Sequence, residues 1–575
     1  MNSVTDSFYE LCGVDTIMKR LPEGVEKRFS NPEVSEECTG DLTVKITMIT
    51  LFWVTVLIGA LVLYLRQVYS SFSRNGVKHL TPIPFLGNVG KILLRQDHIA
   101  HDLSNLYHSF PEERFVGRYE FTREAVVIRD IELLKKITVK DFEYFLDHSV
   151  IGIESSFGRS LFFLKGEEWK EMRSALSPAF TSSKISLMVP FMVEVGDQMI
   201  CTLKKQITNS RDNYVDVDVL DLTTRYSNDV IASCAFGLKT DSQTERNNEL
   251  YLMSKSITDF TFTQFLLFFL MVNVPYLLKI LDWELIPKKS QIFFKRLVLD
   301  TMKERELRNI LRPDMIHLLM EAKKGKLSHD DIKPNDDAVG FATAVESTVG
   351  NKERNRVWTD DDLVAQALLF LFGGFESVST SMNFALHELA VNPDVQERLA
   401  QEIREHDAKN DGKFDFKSIQ DMPYLDMVVS EVLRKWPPNA VMDRVCTKDY
   451  NMGKPNNTAK NDFILKKGTS IIIPAFAFHH DPEFYPDPEK FDPERFSKEN
   501  KHKINRFAYM PFGLGPRNCI GSRFALCDLK VMVYQVLKHI ELSPCEKTCI
   551  PSKLVADNIN LRLQGGHWLR FRMRK

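Results

Sequence analysis

The sequence predicts a mainly α-helical body with small β-sheets, preceded by one N-terminal transmembrane helix. Helices are predicted where apolar residues recur at three- and four-residue spacing. The clearest helical segments are 185–207, 362–391, 423–436 and 524–540. Strand-like runs are short, the clearest being 124–129 and 469–473. The transmembrane helix is predicted from an uncharged apolar run at residues 46–65.

Composition and charge exclude several classes of protein. The 575 residues include 75 Lys and Arg against 77 Asp and Glu, a net charge of −2, and 44% are hydrophobic. This composition is typical of a globular protein and lacks the basic excess of a general nucleic-acid binder, so we expect no nucleic-acid partner. Nine scattered cysteines, an odd number, favour a reducing compartment. No break in composition divides residues 85–575, which we therefore predict to form one catalytic domain.

The N-terminal region is predicted to contain three parts. Residues 1–45 are a polar extension, which would be missing from the native protein if translation started at Met48. Residues 46–65 are long enough to cross about 30 Å of hydrocarbon. Residues 66–84 form a linker in which Pro82 and Pro84 cannot continue a helix. Positive charges lie on both sides of the apolar run, so they do not decide its orientation.

A glycine-rich loop surrounds one cysteine. Residues 511–521 read Pro-Phe-Gly-Leu-Gly-Pro-Arg-Asn-Cys-Ile-Gly, and a helical pattern starts directly afterwards. We expect the glycines to let the backbone approach a bulky planar group. Cys519 lies just before the predicted helix, where amide hydrogens and the helix dipole favour a thiolate. An isolated cysteine would by default be buried and inert, but this loop favours a sulfur ligand.

A second unusual run interrupts the long helix at 362–391. Gly373, Gly374, Glu376 and Ser377 lie within an otherwise apolar stretch. A glycine inside a helix costs about 1 kcal/mol relative to alanine, and an unpaired buried carboxylate costs more. Close helix packing is one explanation for the glycines. A functional groove is the other, because such violations of local preference concentrate at functional sites.

Two further patterns place charged residues on helices. Trp169 and Arg173 are four residues apart, so an indole donor and a guanidinium share a helix face and can reach one carboxylate. Glu431 and Arg434 are spaced as an ion pair on a helix that stops before Pro437. Taken alone, each pattern would by default be a surface pair.

Together these residues resemble the cytochrome P-450 family of haem-thiolate proteins, most closely its insect microsomal members. Residues 512–521 match every fixed position of the family pattern Phe-x-x-Gly-x-Arg-x-Cys-x-Gly. The resemblance implies the cytochrome P-450 fold and haem b, iron protoporphyrin IX, with the Cys519 thiolate as its axial and metal ligand. The haem-binding residues it implies are Trp169, Arg173, Arg444, Phe512, Arg517, Cys519 and Gly521, with Arg517 and Arg444 as partners of haem propionates.

The resemblance also gives roles to the other patterns. It implies a structural triad that supports the haem pocket, formed by Glu431, Arg434 and Arg495. It implies an oxygen groove whose catalytic residues are Gly373, Gly374, Glu376 and Ser377, the last two relaying protons. The family usually has threonine where this chain has Ser377. Serine keeps the hydroxyl but has a less fixed rotamer, so we expect looser coupling of oxygen reduction to product.

The activity implied by the resemblance is monooxygenation of an apolar small molecule with electrons from NADPH. The implied partners are a membrane-bound NADPH-cytochrome reductase, cytochrome b5 and membrane lipid, with the catalytic domain on the cytosolic face of the endoplasmic reticulum. A haem-thiolate isomerase or dehydratase and a noncatalytic haem sensor remain alternatives. Segments 142–163 and 259–278 are expected to line the pocket, and both xenobiotic and endogenous lipid or hormone substrates stay open.

A local basic cluster is predicted to receive the reductase beside Cys519. Its predicted members are Lys170, Arg173, Arg506, Arg523 and Lys530. We expect such a cluster to steer an acidic partner despite the nearly neutral total charge.

Overall fold

The computed structural model describes residues 32–149, 156–258, 263, 266–267, 270, 286–326, 339–344, 357–556 and 558–574. The chain divides into two compact units, Met1–Ser71 and Phe72–Lys575. Residues 1–31 of the predicted extension, and all but four residues of segment 259–278, lie outside the described residues.

Helices form most of the second unit, as the sequence predicts. The described α-helices are α1 (Pro32–Tyr69), α2 (Ser71–Arg74), α3 (Gly90–Leu93), α4 (Ile99–His108), α5 (Ile131–Lys135), α6 (Gly166–Leu176), α7 (Ser182–Ser186), α8 (Val189–Asn209), α9 (Val219–Ile231), α10 (Glu249–Thr258), α11 (Lys288–Arg308), α12 (Met315–Lys323), α13 (Asp360–Phe372), α14 (Val378–Val391), α15 (Pro393–Lys409), α16 (Phe416–Gln420), α17 (Pro423–Lys435), α18 (Ala475–His479) and α19 (Ser522–His539).

Three small sheets complete the described architecture. The strands are β1 (Phe115–Glu120), β2 (Arg123–Ile128), β3 (Tyr214–Asp218), β4 (Met442–Val445), β5 (Tyr450–Asn451), β6 (Ile464–Leu465), β7 (Ser470–Ile473), β8 (Ile540–Pro544) and β9 (Trp568–Met573). The largest sheet has the order β1-β2-β7-β4, and the others are β3-β9-β8 and β5-β6. The two strands predicted from sequence, β2 and β7, pair in parallel with Ala125 opposite Ser470.

The centre of the core is one long helix made of α13, a π-helical turn at Gly373–Ser377, and α14. It begins at a capping box, in which the Thr359 hydroxyl accepts the Asp362 amide hydrogen and the Asp362 carboxylate accepts that of Thr359. Helices α9, α17 and α19 pack against α14. This packing buries nearly every residue of α14, and Gly374, Phe375 and Glu376 of the π-helical turn are buried as well.

The helix predicted at 185–207 is two helices in the structure. Helix α7 ends at Ser186 and α8 begins at Val189, with Pro190 in its first turn. Proline is tolerated in a first turn but would remove a backbone hydrogen bond from a helix interior, which explains the break. The apolar periodicity continues across the break because α7 and α8 both bury apolar residues in the same core.

Within the described residues, three helical stretches are long and apolar enough to cross a membrane, judged by length and composition. They are Val44–Tyr69, Ser182–Asn209 and Asp360–Val391. The most apolar window of the first is 0% buried, whereas those of the other two are 44% and 67% buried. The second and third are therefore accounted for as core helices, and Val44–Tyr69 is the candidate anchor that contains the predicted span at 46–65.

Candidate active site

Cys519 lies in a tight loop that leads into helix α19. Its backbone N–H donates a 2.8 Å hydrogen bond to the Phe512 carbonyl, which closes the loop. The Gly521 N–H donates to the Cys519 sulfur, and α19 begins at the next residue. Gly513 and Gly515 have φ values of 77° and 69°, a left-handed conformation that glycine adopts without strain.

The sequence analysis expected glycine at position 515 to admit a bulky planar group. In the structure Gly515 instead contacts another segment of protein backbone. A Cβ atom at Gly515 would lie 1.8 Å from the Thr138 carbonyl oxygen, in the π-helical segment Lys136–Lys140. The glycine therefore permits a close approach of protein backbone. At Gly513 a Cβ would be 3.5 Å from the Met442 sulfur, an ordinary contact.

The Cys519 side chain remains accessible. Protein encloses the residue, yet its side chain keeps solvent-accessible surface. Burial raises the pKa of Cys519, although the Gly521 amide and Arg173 act in the opposite direction. Burial therefore outweighs the effect of the helix N-terminus, and the thiol is neutral until a metal ion displaces its proton.

Three guanidinium groups surround the loop. Arg173 of α6 donates to the carbonyl and side-chain oxygens of Asn518, at 2.8 and 2.9 Å. Arg517 stacks on Trp169 with its Cζ 4.5 Å from the ring centroid. Burial and the nearby Arg444 lower the pKa of Arg517 to about 9. The loop is thus held by one arginine and faces a concentration of positive charge.

A histidine–aspartate pair that the sequence reasoning missed lies beside these arginines. His148 Nδ1 is 2.8 Å from Asp443 Oδ1. Burial opposes ionisation of Asp443, but His148 and the Ser149 amide hold its pKa well below the usual value. The two residues are 295 positions apart, and no local pattern links them.

The π-helical turn separates the roles of the two adjacent glycines. A Cβ at Gly374 would meet Ile231 of α9 at 2.2 Å, so Gly374 permits close helix packing. A Cβ at Gly373 would meet no described atom within 4 Å, so Gly373 faces open space. Close helix packing therefore explains Gly374, and a functional groove remains a prediction for Gly373.

The acid of the predicted relay is paired with a residue that the sequence analysis did not identify. Glu376 is 8% exposed, and its carboxylate accepts a hydrogen bond from Arg562. The Ser377 carbonyl accepts the Ser381 hydroxyl at 3.1 Å. Among the described contacts, the Glu376 carboxylate bonds Arg562 and not Ser377. Glu376 and Thr380 are polar residues one turn apart on an apolar helix, so a polar partner for this helix face could have been predicted from the sequence.

The three residues of the predicted triad are brought together. Arg434 donates from Nε and Nη2 to the two carboxylate oxygens of Glu431, at 2.7 and 2.9 Å. Arg495 Nε is 3.5 Å from the same carboxylate. Glu431 and Arg434 are both 0% exposed, and burial raises the pKa of Glu431 against the opposing effect of Arg434. Arg434 also donates to the His479 and Pro488 carbonyls, so the cluster joins α17 to the chain that precedes the cysteine loop.

The cytochrome P450 family model matches residues 77–564. The chain belongs to the cytochrome P450 family. Cytochrome P450 9e2 of Blattella germanica is 42% identical over 512 residues, covering 87% of this chain and 93% of that protein. Two Drosophila melanogaster proteins, probable cytochrome P450 9f2 and probable cytochrome P450 6a13, are 41% and 38% identical, covering 87% and 91% of this chain and 94% and 99% of their own. This P450 is accordingly a haem-thiolate monooxygenase and an oxidoreductase.

Members of the P450 family bind haem through a cysteine thiolate, and the described residues of this P450 fit that group. Arg517 Nη1 is buried and has no hydrogen-bond partner among the described residues. Arg444 is also buried, and burial lowers its pKa. The guanidinium group of Arg444 and the Nη1 atom of Arg517 are suited to bind the carboxylates of a haem. Phe512 packs against the core, and a Cβ at Gly521 would meet Phe180 only at 3.8 Å.

The predicted basic cluster is only partly on the surface of this P450. Lys530 is 0% exposed and donates to the Val339 carbonyl and Asp426, at 2.7 and 2.9 Å. Arg173 and Arg523 are also buried. The prediction that these residues form a docking surface was therefore wrong for Lys530, Arg173 and Arg523, because helical periodicity does not show which face of α19 or α6 meets a neighbour.

Proposed function

We propose that this protein is a membrane-anchored monooxygenase that receives electrons from NADPH through a NADPH-cytochrome reductase. In the proposed reaction one atom of dioxygen enters an apolar small molecule and the other leaves as water. The observation that carries the proposal is Cys519, an accessible thiol that receives the Gly521 amide hydrogen and lies beside the buried Arg173.

Residues around the cysteine loop are proposed to hold and orient haem. Haem bound to Cys519 supplies the activation of dioxygen, because a thiolate ligand favours O–O cleavage. Arg444 and Arg517 bind the propionates, and Trp169 supports Arg517 by stacking. Arg173 fixes the residue before Cys519, which keeps the sulfur in one position.

The groove in the long helix is proposed to receive dioxygen and protons. Gly373 leaves open space on the face where a longer side chain would project. Ser377 follows one turn later and supplies a hydroxyl that can both donate and accept a proton. Glu376 is the acid that exchanges protons with this hydroxyl.

Helix α1 is proposed to anchor the protein in the endoplasmic reticulum membrane, with the catalytic domain on the cytosolic face and in contact with lipid. A start at Met48 would leave basic residues on one side of the apolar stretch alone, at Arg66, Arg74 and Lys78, as expected for a cytosolic flank. The seven cysteines whose side chains the structure describes are free, which suits a reducing compartment.

The reductase, and cytochrome b5 as a second electron donor, are proposed to dock over the cysteine loop. Lys136 and Lys140 are exposed and flank Thr138, whose carbonyl contacts Gly515. Arg506 is also exposed, whereas Lys170 is paired with Glu143 and Glu167. We therefore propose that Lys136, Lys140 and Arg506 attract an acidic partner.

Charge reversal tests this docking surface. We expect the K136E/K140E variant to be reduced by the reductase about tenfold more slowly at low salt, with the difference shrinking at high salt, since salt screens surface charge. The control is K205E, because Lys205 lies beside His539 at the far end of α19. Equal reduction rates for K136E/K140E and K205E in stopped-flow measurements would exclude the surface.

Reconstitution with the reductase tests the function itself. The protein should consume NADPH and oxygen and form a hydroxylated product, and its reduced carbonyl complex should show the red-shifted thiolate-type spectrum. C519S should lose that spectrum and the product, while the exposed-cysteine control C201S should keep both. Rearrangement of a substrate without NADPH would instead identify an isomerase or dehydratase.

Haem binding without turnover would identify a noncatalytic sensor.

The substrate is proposed to be apolar, and xenobiotic and endogenous lipid or hormone compounds are the two classes to screen. Ligand-induced shifts of the haem spectrum, followed by mass spectrometry of the products, distinguish these classes.

A further inference from the structure

A stripe of polar side chains runs along one side of the long central helix. Its members are Glu376, Thr380, Asn383 and His387. Their spacing of four, three and four residues places them on one helix face. Each of them contacts the C-terminal segment at residues 552–567, which packs along this face.

Two contacts between the stripe and the C-terminal segment lie at the two ends of that segment. The His387 Nε2 atom is 2.8 Å from the Ser552 hydroxyl. The Asn383 amide is 2.7 Å from His567 Nδ1, and His567 Nε2 accepts the Leu563 N–H at 3.0 Å. Burial and the nearby Arg562 hold the pKa of His567 well below its usual value, so these contacts join neutral groups.

The other two contacts of the stripe both involve Arg562, and the one with Glu376 is ionic. Its Nη2 donates to the Glu376 carboxylate, and its Nη1 donates to the Thr380 hydroxyl at 2.9 Å. The side chains of Arg562 and Glu376 are only 12% and 11% exposed. Arg562 thus binds two consecutive members of the stripe and holds the Glu376 carboxylate on the face next to Ser377.

We propose that Arg562 is a positioning residue for proton delivery. It fixes the position of the Glu376 carboxylate, so that protons reach the groove by one route. This inference rests on the proposed monooxygenase function. It concerns a residue 185 positions away from Ser377, in a segment that the groove's own sequence pattern does not include.

The atoms of the reaction show why the proton route matters. In coupled turnover, dioxygen, a substrate C–H group, two electrons and two protons give an alcohol and water. In uncoupled turnover, dioxygen, two electrons and two protons give hydrogen peroxide. Water carries both protons on one oxygen atom, whereas peroxide carries one proton on each. Both outcomes use the same electrons and protons, so the placement of the proton donor decides between them.

The test compares R562Q with R562K in the reconstituted holoenzyme. We expect R562Q to raise the share of consumed oxygen that appears as hydrogen peroxide at least threefold, while the Kd for substrate, measured by the haem spectral shift, changes less than twofold. R562K should keep the hydrogen peroxide share closer to that of the unaltered protein, because lysine retains the positive charge. E376Q should resemble R562Q, and the double variant E376Q/R562Q should be no worse than either, since both changes break one interaction.

The matched control is S552A, which removes a different contact between the same helix and segment. Hydrogen–deuterium exchange of residues 552–567 should increase in both S552A and R562Q, but peroxide should rise only in R562Q. Equal peroxide shares in R562Q and the unaltered protein, or an equal rise in S552A, would overturn the proposal. An unaltered protein that consumes no NADPH and oxygen with the reductase would instead overturn the proposed function, so the two failures are distinguishable.

Discussion

Ser377 is the residue of the proposed oxygen groove whose side chain differs from the family pattern. Its carbonyl is held by the Ser381 hydroxyl, but its own side chain lacks the β-branch that restricts χ1 in a helix. We expect S377T to raise the yield of product per NADPH, by up to about threefold if it selects one of three rotamers. Product and NADPH are measured in the same reaction.

A second substitution at the same position controls for the hydroxyl. S377A removes the hydroxyl and keeps the small size, so its yield per NADPH should fall below that of the unaltered protein. Equal yields for Ser377 and threonine would contradict the rotamer argument, whereas equal yields for serine and alanine would remove Ser377 from proton delivery altogether.

Sequence reasoning at the residue scale succeeds where chemistry is local in the chain. Cys519 could be found because the glycines and the arginine that define its loop are adjacent to it. His148 and Arg562 could not be found in this way, because their partners Asp443 and Glu376 are 295 and 186 residues distant. Only folding brings such residues together, and a single sequence holds no record of that proximity.

At the scale of the element, the π-helical turn contains two glycines with opposite surroundings. We expect G374A to lower the free energy of unfolding by about 1–3 kcal/mol, because its Cβ would overlap Ile231. G373A should not be destabilising, since no described atom lies within 4 Å of its Cβ. It should nevertheless reduce product formation, because the new methyl group projects into the groove. Urea unfolding and turnover measurements separate the two effects.

A double-mutant cycle checks the cause assigned to G374A. I231A removes the atoms that a Cβ at position 374 would overlap, so the cost of G374A should shrink in the I231A background. An unchanged cost in that background would show that helix geometry, and not the contact with Ile231, makes Gly374 necessary.

The helices show what periodicity can and cannot predict. The segments at 362–391, 423–436 and 524–540 were predicted because their apolar spacing reflects a continuous buried face. Lys530 shows the limit of that reasoning, because a lysine in such a helix is expected to be solvent-exposed. In the structure Asp426 and the Val339 carbonyl satisfy its ammonium group inside the protein, which depends on chain segments far from α19.

At the scale of the whole molecule, buried neutral histidines connect separate segments of the catalytic unit. His479 Nδ1 lies 2.9 Å from the Arg434 carbonyl, and its Nε2 accepts the Met510 N–H at 2.9 Å. It thereby joins α17, α18 and the chain that leads into the cysteine loop. Burial and Arg434 lower the pKa of His479 to about 3. Protonation would place a hydrogen on the nitrogen that accepts from Met510.

The lowered pKa of His479 predicts how acid affects the free energy of unfolding. The folded pKa of His479 lies below the unfolded value of about 6.5, so the unfolded state binds the proton more readily and stability falls as pH drops below about 6.5. Between pH 8 and pH 5 this one group should remove about 2 kcal/mol from the free energy of unfolding. In urea titrations the decrease over that range should be about 2 kcal/mol smaller for H479Q than for the unaltered protein. The exposed-residue control H502Q should leave the decrease unchanged.

H98Q provides a second test, because burial lowers the pKa of His98 to about 4. If H479Q and H98Q both left the pH dependence as it is, neutral buried histidines would not be the cause of acid sensitivity.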